Sequence, residues 1–166
     1  KLLLTGTVYA FDQETPAEGI ILYIYHTNPE GRYANINQES GWPGKHGYLK
    51  GWIKTDTDGT YAFWTSRPGP YPDGNNPEHI HLTVKEPEYP PYYLHDYLFE
   101  DDSLLTTEKR NPQNPRGGLG VGLPKWNGEI YEFQRDIILG LNIPHHPASK
   151  RFLSSKIKTF FYWIPE

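Results

Sequence analysis

The residues with the clearest chemical potential in this chain are His79 and His81, one apolar residue apart in the segment HIHLTVK. In an extended strand, side chains two positions apart project from the same face. Both imidazoles then point together and can share one ion, and imidazole suits zinc, copper, iron and nickel. The same spacing also describes two solvent-facing histidines on an amphipathic strand, and Ile80 and Leu82 face the core under either reading. A metal ion needs further ligands. The chain has no cysteine, and no acidic residue shares that strand face. The residue type in excess is tyrosine, with 13 copies. Phenolate is an oxygen ligand, but free tyrosine ionises only near pH ~10. It therefore calls for a strongly acidic metal such as iron(III), whose charge dominates the local ionisation equilibria. Tyr71 lies in RPGPYPDGNNPE, directly before the histidine strand. Pro70 and Pro72 bracket it and limit its backbone freedom. A tyrosine so held is either packed in a loop or pre-positioned as a ligand.

These side chains need a frame, and the chain reads as an all-β one. Strand-like patterns cover residues 2–10, 19–26, 51–55, 60–66, 79–85, 92–99 and 129–139. The Asp-Thr-Asp-Gly sequence at 56–59 is a hairpin turn signal, and in TYAFWT the aromatics Tyr61 and Phe63 alternate as in a half-buried strand. Between the strands lie long segments at 28–48, 67–78 and 106–127, rich in glycine, proline and asparagine. Long loops in a compact domain are usually functional or disordered. The expected architecture is a single domain over residues 1–166, an antiparallel β-sandwich whose long loops form the active-site mouth.

Composition narrows the function further. The net charge of −4 and the lack of a basic patch argue against nucleic-acid binding. The apolar runs are far too short to span a bilayer. The absence of cysteine excludes disulfides, thiolate metal sites and cysteine nucleophiles. The numbered chain shows no signal peptide and begins at Lys1, as a processed or trimmed product does. Other features read as structural: His26 as packing, His46 and His95 as lone residues without a ligand, and His145 and His146 as an exposed loop pair. The glycine-rich RGGLGVGL at 116–123 reads as a flexible loop. Trp42, Trp52, Trp64, Trp126 and Trp163 read as core and loop packing rather than a sugar-binding face.

Three segments together resemble the intradiol ring-cleavage dioxygenases, the protocatechuate and catechol dioxygenase family. IYHTNPEGRY at 24–33 is similar to the family pattern of an aromatic, then His or Gln, then x-Asn-x-x-Gly-x-Tyr. GWIKTDTDGTYAFWTSRPGPYP at 51–72 resembles Thr-Asp-x-x-Gly-x-Tyr-x-Phe followed by Pro-Gly-x-Tyr-Pro. PEHIHL at 77–82 is similar to Pro-Ala-His-Ile-His-Phe, and LFEDDSL at 98–104 is a weaker echo. The resemblance implies iron(III) held by Tyr33, Tyr71, His79 and His81, with Tyr71 and His81 axial and Tyr33 and His79 equatorial. It implies intradiol cleavage of a catechol-type ring by dioxygen to a muconate-type diacid, with Tyr71 leaving the metal to act as base. The implied partners are a small catechol-type substrate and dioxygen, with a homodimer left open. Short relatives of this type point to a secreted, periplasmic or lipid-anchored address rather than the cytoplasm.

The sequence also departs from the family. Asn76 stands where the family has Arg, three residues before the first histidine. Asp73, Trp52 and Leu98 replace a Trp, an Arg and an aromatic. Arg32, Arg67, Lys85 and Arg116 are the candidates for the missing positive charge. The amino-terminal helical region of the catechol branch is absent. The alternative is a non-catalytic transthyretin-like β-sandwich module, which shares the strand patterns but does not need Tyr33, Tyr71 and the histidine pair at this spacing.

Overall fold

The computed structural model describes residues 1–36 and 40–148, apart from the side chains of Trp42 and Pro43. Its elements, in chain order, are β1 (Leu2–Tyr9), β2 (Ile21–His26), α1 (Gly41–Lys45), β3 (Lys50–Lys54), β4 (Thr60–Thr65), β5 (His79–Lys85), β6 (Tyr92–Tyr93), β7 (Tyr97–Phe99), α2 (Thr107–Arg110), β8 (Val121–Gly122), β9 (Lys125–Trp126), β10 (Tyr131–Gln134) and β11 (Ile137–Ile138). They form two sheets. The first runs β11-β1-β10-β9, with β4 on the other side of β1; the second runs β3-β2-β5-β7-β8, with β6 also on β5.

Alternation builds the core. Leu2, Leu4 and Val8 of β1 and Tyr61 and Phe63 of β4 face Leu22 and Ile24 of β2 and Ile80, Leu82 and Val84 of β5 in one cluster. Leu22, Ile80, Leu82 and Val84 are fully buried. Each such side chain contributes about 1.5–3 kcal/mol of burial free energy. The second sheet therefore has one face fixed to the core and one face left for chemistry.

The expected all-β sandwich is present, with two refinements. The anticipated strand at 92–99 is two strands, β6 and β7, separated by Leu94–His95–Asp96. The pairings of β1 with β10 and β11, and of β7 with β8, are parallel. β8 lies inside the long 106–127 segment and β10 and β11 follow it, so each reaches its parallel partner over a long connection, the only kind that brings a strand back parallel. The glycine-rich 116–123 segment is not a free loop. It contains β8, and a Cβ on Gly120 would fall 1.9 Å from the Asp96 carbonyl oxygen, so glycine there lets the backbone pack against β7's approach.

Candidate metal centre

Register decides which way the histidines point. β5 pairs antiparallel with β2, setting His81 opposite Tyr25 and Ile80 opposite His26. With Ile80, Leu82 and Val84 turned inward, His79 and His81 must turn outward.

Two loops bring tyrosines over this face. The chain leaving β2 passes through Gly31, whose φ is +72° and where a Cβ would fall 1.9 Å from the Pro70 carbonyl oxygen. The chain leaving β4 passes through Gly69, where a Cβ would fall 2.1 Å from the Pro29 carbonyl oxygen. Direct backbone contact of this kind needs glycine on both sides. Thr27 Oγ1 donates to the Gly69 carbonyl at 2.8 Å, and the Gly69 N–H donates to the Asn28 carbonyl at 3.0 Å. Tyr33 and Tyr71 each stand two residues beyond their contact glycine, and the stitched loops hold them side by side.

The four expected ligand residues converge. Tyr33 Oη lies 2.8 Å from Tyr71 Oη, Tyr71 Oη 3.2 Å from His79 Nε2, and Tyr33 Oη 3.0 Å from His81 Nε2. Donors arranged around an ion at about 2 Å lie on the order of 3 Å apart, so this spacing suits a first coordination sphere. The far nitrogens are committed. His79 Nδ1 donates to the Pro77 carbonyl at 2.7 Å, and His81 Nδ1 donates to Asp96 Oδ1 at 3.0 Å. Those bonds fix the tautomers and leave each Nε2 lone pair facing the tyrosines. Two hydroxyl protons then serve three short contacts. The third contact sets lone pair against lone pair unless an added positive charge enters, so the pocket as built suits a cation. Two phenol oxygens and two imidazole nitrogens, without thiolate, fit iron(III) by ligand type.

Asp96 also lies close enough to His79 and His81 to form a three-residue metal-ligating group. Its carboxylate, however, bonds the His81 nitrogen on the side away from Tyr33. It orients the ring rather than completing the donor set. Burial pushes the Tyr33 hydroxyl well above the usual tyrosine range, and the bond with Tyr71 adds to this. Ionising it therefore needs a strong cation beside it. Burial also lowers the His79 pKa, which keeps its imidazole neutral, the form that ligates.

The positive charge near the pocket is not one of the four expected. Arg67 is held by Glu78 at 2.5 Å and by both oxygens of Asp101 at 2.9 and 2.8 Å. Lys85 donates to the carbonyls of Pro87 and Tyr89 at 3.1 and 3.0 Å. Arg32 and Arg116 are exposed. Lys109, on α2, donates instead to Asn76 Oδ1 at 3.0 Å and opposes protonation of His79. Sequence reading missed it because it lies 33 residues from Asn76, in a segment read as irregular.

The remaining expectations hold in part. His26 is buried as packing, donating to the Thr27 carbonyl at 2.7 Å and bonding Thr65 Oγ1 at 2.6 Å. His46 stacks on Tyr25 with ring centroids 3.8 Å apart and bonds the Tyr23 hydroxyl at 2.8 Å. His145 is exposed as expected, but His146 is buried and bonds Glu86 at 2.8 Å, because the chain after β11 folds it under Tyr89 and Tyr92. Trp52, Trp64 and Trp126 are not core residues; they are 67%, 67% and 57% exposed. Trp163 and the side chain of Trp42 lie outside the described residues.

A family model described as a dioxygenase matches residues 1–111 of this chain. The chain belongs to the intradiol ring-cleavage dioxygenase family. It is 27% identical over 123 residues to a chlorocatechol 1,2-dioxygenase of Cupriavidus pinatubonensis (strain JMP 134 / LMG 1197), covering 64% of this chain and 46% of that one. It is 29% identical over 118 residues to the protocatechuate 3,4-dioxygenase beta chain of Burkholderia cepacia, covering 69% and 46%. The chain thus spans about half the length of these curated relatives. Among solved structures, the dioxygenase domain of a dioxygenase carbohydrate-binding protein fusion from Streptomyces sp. SirexAA-E superposes with a TM-score of 0.60 at 20% identity, over 83% of this chain and 78% of that one. An intradiol ring-cleavage dioxygenase from Tetranychus urticae gives 0.59 at 17% identity, over 82% and 79%. These structures support the fold. Among the described residues no helix is long and apolar enough to cross a membrane.

Proposed function

We propose that this chain binds iron(III) through Tyr33, Tyr71, His79 and His81 and uses dioxygen to cleave a catechol-type ring between its hydroxyl-bearing carbons, giving a muconate-type diacid. The supporting observation is the convergence of the two Tyr Oη and two His Nε2 atoms within 3.2 Å contacts, in a chain of the intradiol family. Iron held by these four residues would supply a Lewis acid for the bound catechol and a template for the two reactants.

The protein's own groups handle protons and position. Held as a phenolate by the metal, Tyr71 would take a proton from the incoming catechol at its Oη, which lies between Tyr33 and His79. His79 and His81 keep their Nε2 lone pairs forward because Pro77 and Asp96 hold the opposite nitrogens. The catechol becomes anionic as it binds, and the Lys109 ammonium, anchored on Asn76, offers compensating charge where the family places an arginine. Tyr25, packed against His81 at 4.5 Å and Tyr33 at 6.0 Å, walls the pocket on the β2 side.

The test is a visible absorption spectrum with metal analysis on protein purified without chelator, followed by oxygen uptake on a catechol panel. Stoichiometric iron and a wine-red tyrosinate-to-iron(III) band, lost in Tyr33→Phe, are expected. Protein that stays colourless after iron loading would sink the reading.

A further inference from the structure

The outward face of the second sheet does not end at the metal pocket. Strand register places it in rows. Lys50, Tyr25 and His81 form the row that contains a proposed ligand. The next row, two residues along, is Trp52, Tyr23, Thr83 and Tyr93, read across β3, β2, β5 and β6. Two residues of strand rise by about 7 Å, so this row lies one side-chain layer from the His81 row. The ring contacts are continuous: His81 to Tyr25 at 4.5 Å, Tyr25 to Tyr23 at 5.7 Å, and Tyr23 to Trp52 at 5.2 Å. His81, Tyr25 and Tyr23 are half-buried, with His46 stacked on Tyr25 at 3.8 Å and bonded to the Tyr23 hydroxyl at 2.8 Å, and the far row opens to solvent at Trp52, 67% exposed, and Tyr93, 51% exposed.

Such a row is costly to leave open. Contiguous exposed apolar surface usually marks a binding site. The shape is specific too. Tyr23 and Tyr93 stand on either side of small Thr83, two strand spacings or about 10 Å apart, which leaves room for one planar ring over Thr83. Aromatic faces accept flat apolar groups by offset or edge-to-face packing. A sugar ring offers a flat face as well, but its hydroxyls need carboxylate or amide partners. The outward strand positions of this and the adjoining rows are Ile21, Lys50, Lys54 and Lys85 besides those named, and none is a carboxylate or amide.

We propose that the Trp52–Tyr23–Tyr93 row is a substrate subsite for a second aromatic ring, so that the catechol processed here is one unit of a larger aryl compound. The inference rests on the metal-centre reading above, since it takes the reacting ring to sit at Tyr33, Tyr71, His79 and His81.

The experiment compares plain catechol with a catechol carrying a phenyl group on a short alkyl linker. For the iron-loaded protein, kcat/KM should favour the extended compound. Trp52→Ala and Tyr93→Ala should each lower that preference about tenfold, which corresponds to ~1.4 kcal/mol of stacking. Trp52→Phe should restore most of it. Trp64→Ala, an equally exposed tryptophan on the other sheet, should leave the ratio as in the native protein. Calorimetric binding of the same two compounds is read alongside, because it needs no turnover. A native protein that binds and turns over the two compounds equally well overturns the subsite. So does a cello-oligosaccharide whose binding depends on Trp52 while the aryl compound's does not. Failure of the metal-centre reading shows differently: no iron and no turnover, with Trp52-dependent binding of the phenyl compound still separating the presence of the subsite from its absence.

Discussion

The two ends of β5 carry similar residues and opposite chemistry. At its start, His79 and His81 meet Tyr33 and Tyr71. Past its end, His146 meets Glu86, Tyr89 and Tyr92. The difference lies in where the lone pairs go. His146 Nε2 bonds Glu86, and the same carboxylate oxygen accepts from the Tyr92 hydroxyl at 2.6 Å. Every short contact there has a proton to share, and the cluster is closed. At the other end the carboxylate and carbonyl stand behind the imidazoles, the front nitrogens turn their lone pairs to the tyrosine hydroxyls, and two protons serve three contacts. Histidine and tyrosine in one place do not make a metal site; the groups behind the rings do.

Substitutions can break this contrast. The largest effect is expected from His81→Ala, which should remove stoichiometric iron as read by metal analysis, whereas His146→Ala should keep it. Loss of iron in both variants would erase the distinction. Asp96→Asn tests the backing group alone. It should weaken iron affinity about 10–100-fold, the usual effect of losing a partner behind a ligating histidine, as read by competition with a chelator. Lys109→Met keeps the donor set and removes the nearby charge. It should lower kcat/KM on catechol about tenfold, with Lys109→Arg recovering activity in oxygen-uptake assays, as expected of a general electrostatic contribution. The smallest effect belongs to the closed cluster. Glu86→Gln should lower stability by about 1–3 kcal/mol, the cost of unsettling a buried hydrogen-bond group, in a denaturant titration, with the iron content unchanged.

Much of the site was legible because its signals are local. The strand HIHLTVK announces its two faces by alternation, and the paired Gly-x-Tyr spacings at Gly31–Tyr33 and Gly69–Tyr71 lie within single loops. What escaped was set by distant partners. Asp96 is freed to back His81 only because the 92–99 segment breaks between β6 and β7, and the apolar pattern there runs on through the break. Lys109 reaches Asn76 from a helix of four residues, too short to show periodicity. His146 looked exposed beside two prolines, yet the carboxylate it meets stands 60 positions earlier. The tryptophans looked like core because size suggests burial, but alternation places Trp52 and Trp64 on outer faces.

The double duty of β5 has a consequence for redesign. Its inward residues are core and its outward residues are chemistry, so the strand obeys a parity rule. Inserting or deleting a single residue would trade imidazoles for Ile80 and Leu82 and damage fold and reactivity together. A shift by two keeps the inward and outward faces. Installing the pair at 81 and 83, by His79→Thr with Thr83→His, would carry the nitrogen pair one row toward Trp52 while every buried side chain of the strand stayed in place. The strand tolerates such exchanges only in even steps, and the donor set would be complete there only if the tyrosines and the groups behind the rings moved with it.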